Sequence, residues 1–162
     1  MILPSQLRCK RMGPETMPMP AYGRHGDAGL DLAVSWIGRD LATLLRGAYR
    51  ASIDWSIVEL LPGTRARVPV GWAFEIPEGY EGQVRGRSGW TDRGLWVATG
   101  TVDSNYRGEV SVNVYATTGV SIRHGDRIAQ MVIAPVLRVA PMMVDELSAT
   151  ERGANGFGST GD

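Results

Sequence analysis

Short stretches of alternating apolar and polar residues recur along the chain, separated by turn residues. In Glu109-Val110-Ser111-Val112-Asn113-Val114-Tyr115, the three valines fall on one side. Successive side chains of a strand point to opposite faces, so this pattern predicts a half-buried strand. Thr64–Val70 reads as another strand, and the more continuously apolar Arg127–Ile133 as a third. Pro62-Gly63, Glu78-Gly79, Ser104-Asn105 and His124-Gly125 punctuate the pattern as turns. Many short strands with regular turns predict an all-β sandwich or barrel.

Two stretches depart from this period. From Arg39 to Arg50 the apolar positions are Leu41, Leu44, Leu45, Ala48 and Tyr49. That spacing is helical and predicts one amphipathic helix of about three turns on the β scaffold. Arg152–Gly161 holds four glycines, Ser159, Thr160, one arginine and Phe157, and cannot form a packed element. Its composition fits a disordered terminus. The alternative is a segment that orders on a ligand, with glycine amides and hydroxyls meeting phosphate oxygens. Arg152 then adds a charge-assisted bond, and Phe157 stacks on a flat base.

Composition narrows the classes. A length of 162 residues predicts one domain, and 43% apolar with 21% charged residues is globular rather than disordered. Seventeen basic and seventeen acidic residues cancel. The chain therefore lacks the basic footprint of a nucleic-acid binder, which leaves a small anionic ligand open. Cys9 is the only cysteine, so a disulfide within the chain is excluded and a reducing compartment expected. Met1–Arg11 has no apolar core of signal-peptide length, and no run is long enough to cross a membrane. The expectation is a cytoplasmic protein.

Four loops carry candidate chemistry. Ala28-Gly29-Leu30-Asp31-Leu32 sets a carboxylate between apolar residues; alone it reads equally as a strand start. Arg85-Gly86-Arg87-Ser88-Gly89 offers two arginines, a hydroxyl and glycine amides, or a solvated turn. Gly125-Asp126-Arg127-Ile128-Ala129-Gln130 opens a strand with polar groups, or is a hairpin with a surface ion pair. Gly100–Gly108 reads as a β-hairpin with Ser104-Asn105 at its tip and Asp103 at its bend. A carboxylate held there can orient and deprotonate water.

The five segments, in this order in one β-rich chain, resemble the trimeric dUTP pyrophosphatases (dUTPases). The matching stretches are Ala28–Leu32, Arg87–Gly89, Gly100–Gly108, Gly125–Gln130 and Arg152–Gly161, and the likeness runs from about Leu7 to Gly161. The resemblance implies a jelly-roll-like distorted β-barrel over residues 1–150 and a flexible lid over 151–162. It implies a homotrimer with three active sites at subunit interfaces, converting dUTP and water to dUMP and pyrophosphate.

By the same match, Asp103 orients the attacking water, and Gly100 and Val102 belong to the backbone that reads uracil. Tyr106 packs on deoxyribose. Arg87, Ser88, Gly89 and Gln130 hold the phosphates. Arg152, Gly158, Ser159 and Thr160 close over the γ-phosphate with Phe157 stacked on uracil. Mg²⁺ is implied, held mainly by the substrate phosphates, with Asp31 and Gln130 reaching it through water.

Two rival functions share the scaffold: a dCTP deaminase-related enzyme, and a nucleotide-sensing regulatory protein. The deaminases place a glutamate where this chain has Asn113. The chain departs from the family at Asn105, which stands where a second Asp is common, and at Asn155, which replaces a usual glycine. The largest departure is extra length over about residues 36–55, which contains the expected helix. It reads as a surface cap, with docking of another protein as the sharper alternative.

Overall fold

The structure, a computed structural model, describes residues 6–154. Its strands in chain order are β1 (Arg8–Arg11), β2 (Leu30–Ala33), β3 (Leu45–Arg46), β4 (Tyr49–Ala51), β5 (Ile57–Leu60), β6 (Arg65–Pro69) and β7 (Trp72–Glu75). There follow β8 (Tyr80–Gly86), β9 (Leu95–Val97), β10 (Gly100–Val102), β11 (Ser111–Ala116), β12 (Val120–Arg123) and β13 (Arg127–Pro135). Two single-turn helices, α1 (Leu41–Leu44) and α2 (Ser88–Thr91), interrupt them.

The strands form four small sheets, in the orders β1-β7, β10-β8-β13-β2, β3-β6-β11-β9 and β12-β5-β4. Alternation decides which face of each turns inward. Val112, Val114 and Ala116 of β11 are buried with Ala66 and Val68 of β6, while Asn113, Tyr115, Arg65 and Arg67 face out. Val58 and Leu60 of β5 meet Val120 and Ile122 of β12 in the same continuous core. The all-β, jelly-roll-like expectation holds. The strands read from the sequence appear as β6, β11 and β13, and turns stand at all four expected dipeptides.

The expected three-turn helix does not form. Only Leu41–Leu44 is helical, started by the Asp40 carboxylate accepting from the Ala42 amide at 3.0 Å. Leu45–Arg46 then pairs with Ala66 and Arg65, and Tyr49–Ala51 with β5. Gly47 explains the break. Its φ is +126°, outside any right-handed helix, and a Cβ there would sit 2.8 Å from the Thr64 Cα. Leu41 and Leu45 both reach the core, but across a switch from helix to strand. The segment contributes Trp36, Leu41 and Leu45 to the core while its remaining face is largely exposed.

The expected hairpin around Asp103 is also corrected. β10 pairs with β8, whereas β11 pairs with β6 and β9, so the flanking strands belong to different sheets. The turn survives, closed by Tyr106 N–H donating to the Asp103 carbonyl at 3.1 Å. Further along the extra segment, the loop from β4 to β5 is organised by Asp54. Its carboxylate accepts from the Ser52 hydroxyl at 2.7 Å and from the Ser56 amide and hydroxyl. These bonds, the Ser52 hydroxyl foremost, lower its pKa to about 2.

The extra segment is also tied down where it begins. His124, in the turn between β12 and β13, accepts from the Trp36 amide at 3.1 Å and the Ile37 amide at 3.3 Å, both at Nδ1. Burial lowers its pKa, and an Nδ1 engaged as an acceptor has no room for a proton. The folded chain therefore refuses a proton that the unfolded chain takes up below about pH 6.5, and stability falls as pH drops through that range. His124→Asn keeps an acceptor near the Nδ1 position and removes the titration. Between about pH 7 and pH 5, the urea midpoint of the wild type is expected to drop further than that of H124N. Equal drops would show that His124 does not contribute to acid sensitivity.

Candidate active site

Three strands bring together three of the sequence motifs. In the ladder β8-β13-β2, Gln130 of β13 lies opposite Asp31 on one side and Arg85 on the other. Arg87 follows the end of β8 and leads into α2. The Asp31 carboxylate, only 12% exposed, is held between two guanidinium groups, Arg87 at 3.1 Å and Arg127 at 3.2 Å, one to each oxygen. Arg87 also donates to the Arg127 carbonyl at 3.3 Å, and Trp90 Nε1 donates to the same carbonyl at 2.9 Å. Trp90 thus locks α2 to the start of β13, with Arg93 stacked on its ring at 5.0 Å.

Gln130 fills the space between these groups. Its Nε2 approaches the Gly86 carbonyl at 3.4 Å, and its Oε1 lies 2.6 Å from where a Cβ on Gly29 would be. Only glycine at position 29 lets Gln130 lie flat across the ladder. Ser88 and Gly89 begin α2, ahead of the turn's own hydrogen bonds, the first of which runs from Trp90 N–H to the Arg87 carbonyl. Their amides precede any partner the turn itself supplies. The cluster offers positive charge and donors of the kind that phosphate oxygens accept.

The second part of the site is elsewhere on the chain. Asp103 and Tyr106, both exposed, line a cleft of about 740 Å³ with Thr101 and Val102 on one wall and Glu109, Val110 and Ser111 on another. Gly100 belongs to the same β10 strand, opposite Val84. The loop is braced from within. Tyr106 Oη donates to the Glu109 carbonyl at 3.0 Å, and Arg107 donates to the Ser104 and Tyr106 carbonyls at 2.6 and 2.9 Å. Arg107 is thus tied into the loop's own backbone.

The two parts lie at opposite ends of β8. Val102 pairs with Gly82, so Asp103 stands level with Glu81, whereas Arg87 lies beyond Gly86. Six residues of strand separate those levels, roughly 20 Å. One bound phosphate cannot touch both ends of a single chain.

Arg152 is exposed at the far end of the described residues. Asn155, Phe157, Gly158, Ser159 and Thr160 lie outside them. No group of three metal-type side chains occurs among the described residues. Both Asp31 oxygens are already engaged by arginines, which fits a cation held by substrate phosphates and water and not a cage built by the protein. Arg127, Glu109 and Arg39 were not singled out by sequence reasoning; Arg127 lay inside a quoted motif, while the Arg39–Glu109 contact spans 70 positions.

The dUTPase family model matches residues 50–161. The deoxyuridine 5'-triphosphate nucleotidohydrolase of Desulfotalea psychrophila is 45% identical over 152 residues, covering 91% of this chain and 89% of that protein. The enzyme of the same name from Rhizobium johnstonii is 47% identical over 154 residues, covering 91% and 87%. Among solved structures, the G164S mutant dUTPase of Staphylococcus bacteriophage 80alpha with dUpNHpp superposes with a TM-score of 0.78 at 26% identity. It covers 98% of this chain and 100% of the phage chain. The chain belongs to the dUTPase family.

Proposed function

We propose that the chain hydrolyses dUTP to dUMP and pyrophosphate in a homotrimer whose active sites lie between subunits. One observation carries this reading: the Asp103 cleft and the Asp31–Arg87–Arg127–Gln130 cluster sit at opposite ends of β8. A cleft from one subunit and a cluster from another complete a site that neither chain forms alone. The exposed apolar run after β13, with Leu137, Val139, Met142 and Met143, supports association, since such a run is costly to leave in water.

In this reading Asp103 accepts a proton from water as the water oxygen attacks the α-phosphorus. The bond from that phosphorus to the bridging oxygen breaks, and pyrophosphate leaves with the electron pair. Arg87, Ser88, Gly89 and Gln130 meet the charge on the phosphates. Gly100 and Val102 present backbone to uracil, and Tyr106 lies against deoxyribose. Arg152, Phe157, Gly158, Ser159 and Thr160 close the site from a further subunit and exclude water, which strengthens each contact. Mg²⁺ would be held mainly by the substrate phosphates, with Asp31 and Gln130 reaching it through water, and would supply charge neutralisation there.

The product dUMP feeds thymidylate synthesis, and removal of dUTP keeps uracil out of DNA. A cytoplasmic location fits this role and the single Cys9. The deaminase alternative is not favoured: at Asn113, on the outward face of β11, an amide stands where a carboxylate base is needed. The sensor alternative leaves Asp103 without a use.

Asp103→Asn is expected to lower pyrophosphate release by about 10²–10⁴-fold while affinity for a non-hydrolysable imido analogue of dUTP stays within about threefold. Near wild-type turnover by D103N would remove Asp103 from the mechanism. Asp103→Asn and Arg87→Ala, each inactive alone, should complement when unfolded and refolded together. Random assortment of equal amounts leaves roughly a quarter of the sites with both residues intact. No recovery, with trimers confirmed by light scattering, excludes a site shared in this way. A chain ending at Thr150 should remain trimeric yet lose most of its turnover, and full activity in that variant would exclude the tail as a lid.

A further inference from the structure

The cleft that holds Asp103 has one wall that the family motifs do not supply. Gly38, Arg39, Asp40, Thr43 and Leu44 line it, all from the extra segment. The segment is rigid there because it is anchored on both sides. Trp36 and Leu41 are completely buried, and Leu45 nearly so. Between the first two anchors the chain makes a turn, closed by Arg39 N–H donating to the Trp36 carbonyl at 3.0 Å. That turn aims Arg39 at Glu109.

The contact is close and shielded. Arg39 Nη2 lies 2.6 Å from Glu109 Oε1, with the two side chains 27% and 18% exposed. The same Oε1 accepts the Gly71 amide at 2.8 Å. Through its backbone, Glu109 accepts the Tyr106 hydroxyl at 3.0 Å. A continuous set of bonds therefore runs from the core-anchored turn, through Glu109, to the loop that carries Asp103 and Tyr106. Removing Arg39 leaves a shielded carboxylate with one amide donor and frees that side of the loop.

We infer that Arg39 is a positioning residue for the substrate cleft: it holds Glu109, and through it the Asp103–Tyr106 loop, so the extra segment is a working wall of the active site. This rests on the reading of the cleft as the dUTP site. It goes beyond the expectation of a surface cap, and it requires no partner protein.

The test uses the full-length trimer and the variants R39M, R39K, E109Q and R39M/E109Q, with urea midpoints confirming that each is folded at the assay temperature. R39M is expected to lower kcat/KM for dUTP by about 10- to 100-fold, as displacement of a catalytic group by about an ångström does. It should also narrow the preference for dUTP over UTP, because Tyr106 loses its fixed place. R39K should regain much of both, since a single donor nitrogen makes the contact. In the E109Q background, R39M should add little further loss, the sign of one coupled pair. A folded R39M with unchanged kcat/KM and unchanged dUTP-to-UTP ratio overturns the inference, whatever its stability. So does a double variant whose losses simply multiply. Should R39M fail to fold, R39K and E109Q decide: unchanged kinetics in both overturn the inference, and a loss in E109Q with retained activity in R39K supports it. Loss of activity in Asp103→Asn beside a normal R39M would sink this inference alone, whereas an active Asp103→Asn sinks the reading of the cleft.

Discussion

The hydrogen-bonded ladder β10-β8-β13-β2 is the constraint on which the chemistry depends. Its register sets Asp31 against Gln130, and Gln130 against Arg85, so the polar cluster needs no flexible loop to find its shape. The same ladder places Val102 against Gly82, which sends Asp103 to the other end of β8. Strand spacing is rigid on the scale of a phosphate group. A chain built this way holds Asp103 and the arginine cluster apart by construction, and in the proposed reading assembly between copies is the route by which they meet.

Charge is arranged with the same economy. Two arginines close enough to share one ligand would repel each other in its absence. Asp31 separates them, one guanidinium to each oxygen, and is shielded enough for the attraction to be felt. In the proposed reading the donors are thus oriented before any nucleotide arrives, and little reorganisation remains for the reaction itself. Trp90 and Gln130 add the packing that keeps this arrangement in place.

The β strands were legible because burial on one face forces a period of two, and Val110, Val112 and Val114 display it without interruption. The order of the five loops made the family legible. The extra segment was misread for a physical reason: Leu41 and Leu45 satisfy a helical spacing, yet Gly47 and its contact with Thr64 turn the chain into strands. The hairpin was misread because strand pairing is a tertiary property. Alternation in β11 says which face is buried, not that β6 and β9, rather than β10, will be its neighbours. The Arg39–Glu109 pair had no local signal at all, since only the fold brings those two positions together.

The divergence of β10 and β11 into separate sheets has a consequence for how such a pocket evolves. The cleft is lined by β10 on one side and by residues of β6 and β11 on the other, and each side is braced by its own set of strand neighbours. Its width therefore depends on the packing between two sheets as well as on the side chains that line it. Substitutions at core residues behind these strands, such as Val68 and Val84, would shift one side of the opening against the other. If this cleft is the base site proposed above, selectivity between bases that differ by a methyl group would be tunable from the interior of the protein, with every residue that touches the substrate left as it is.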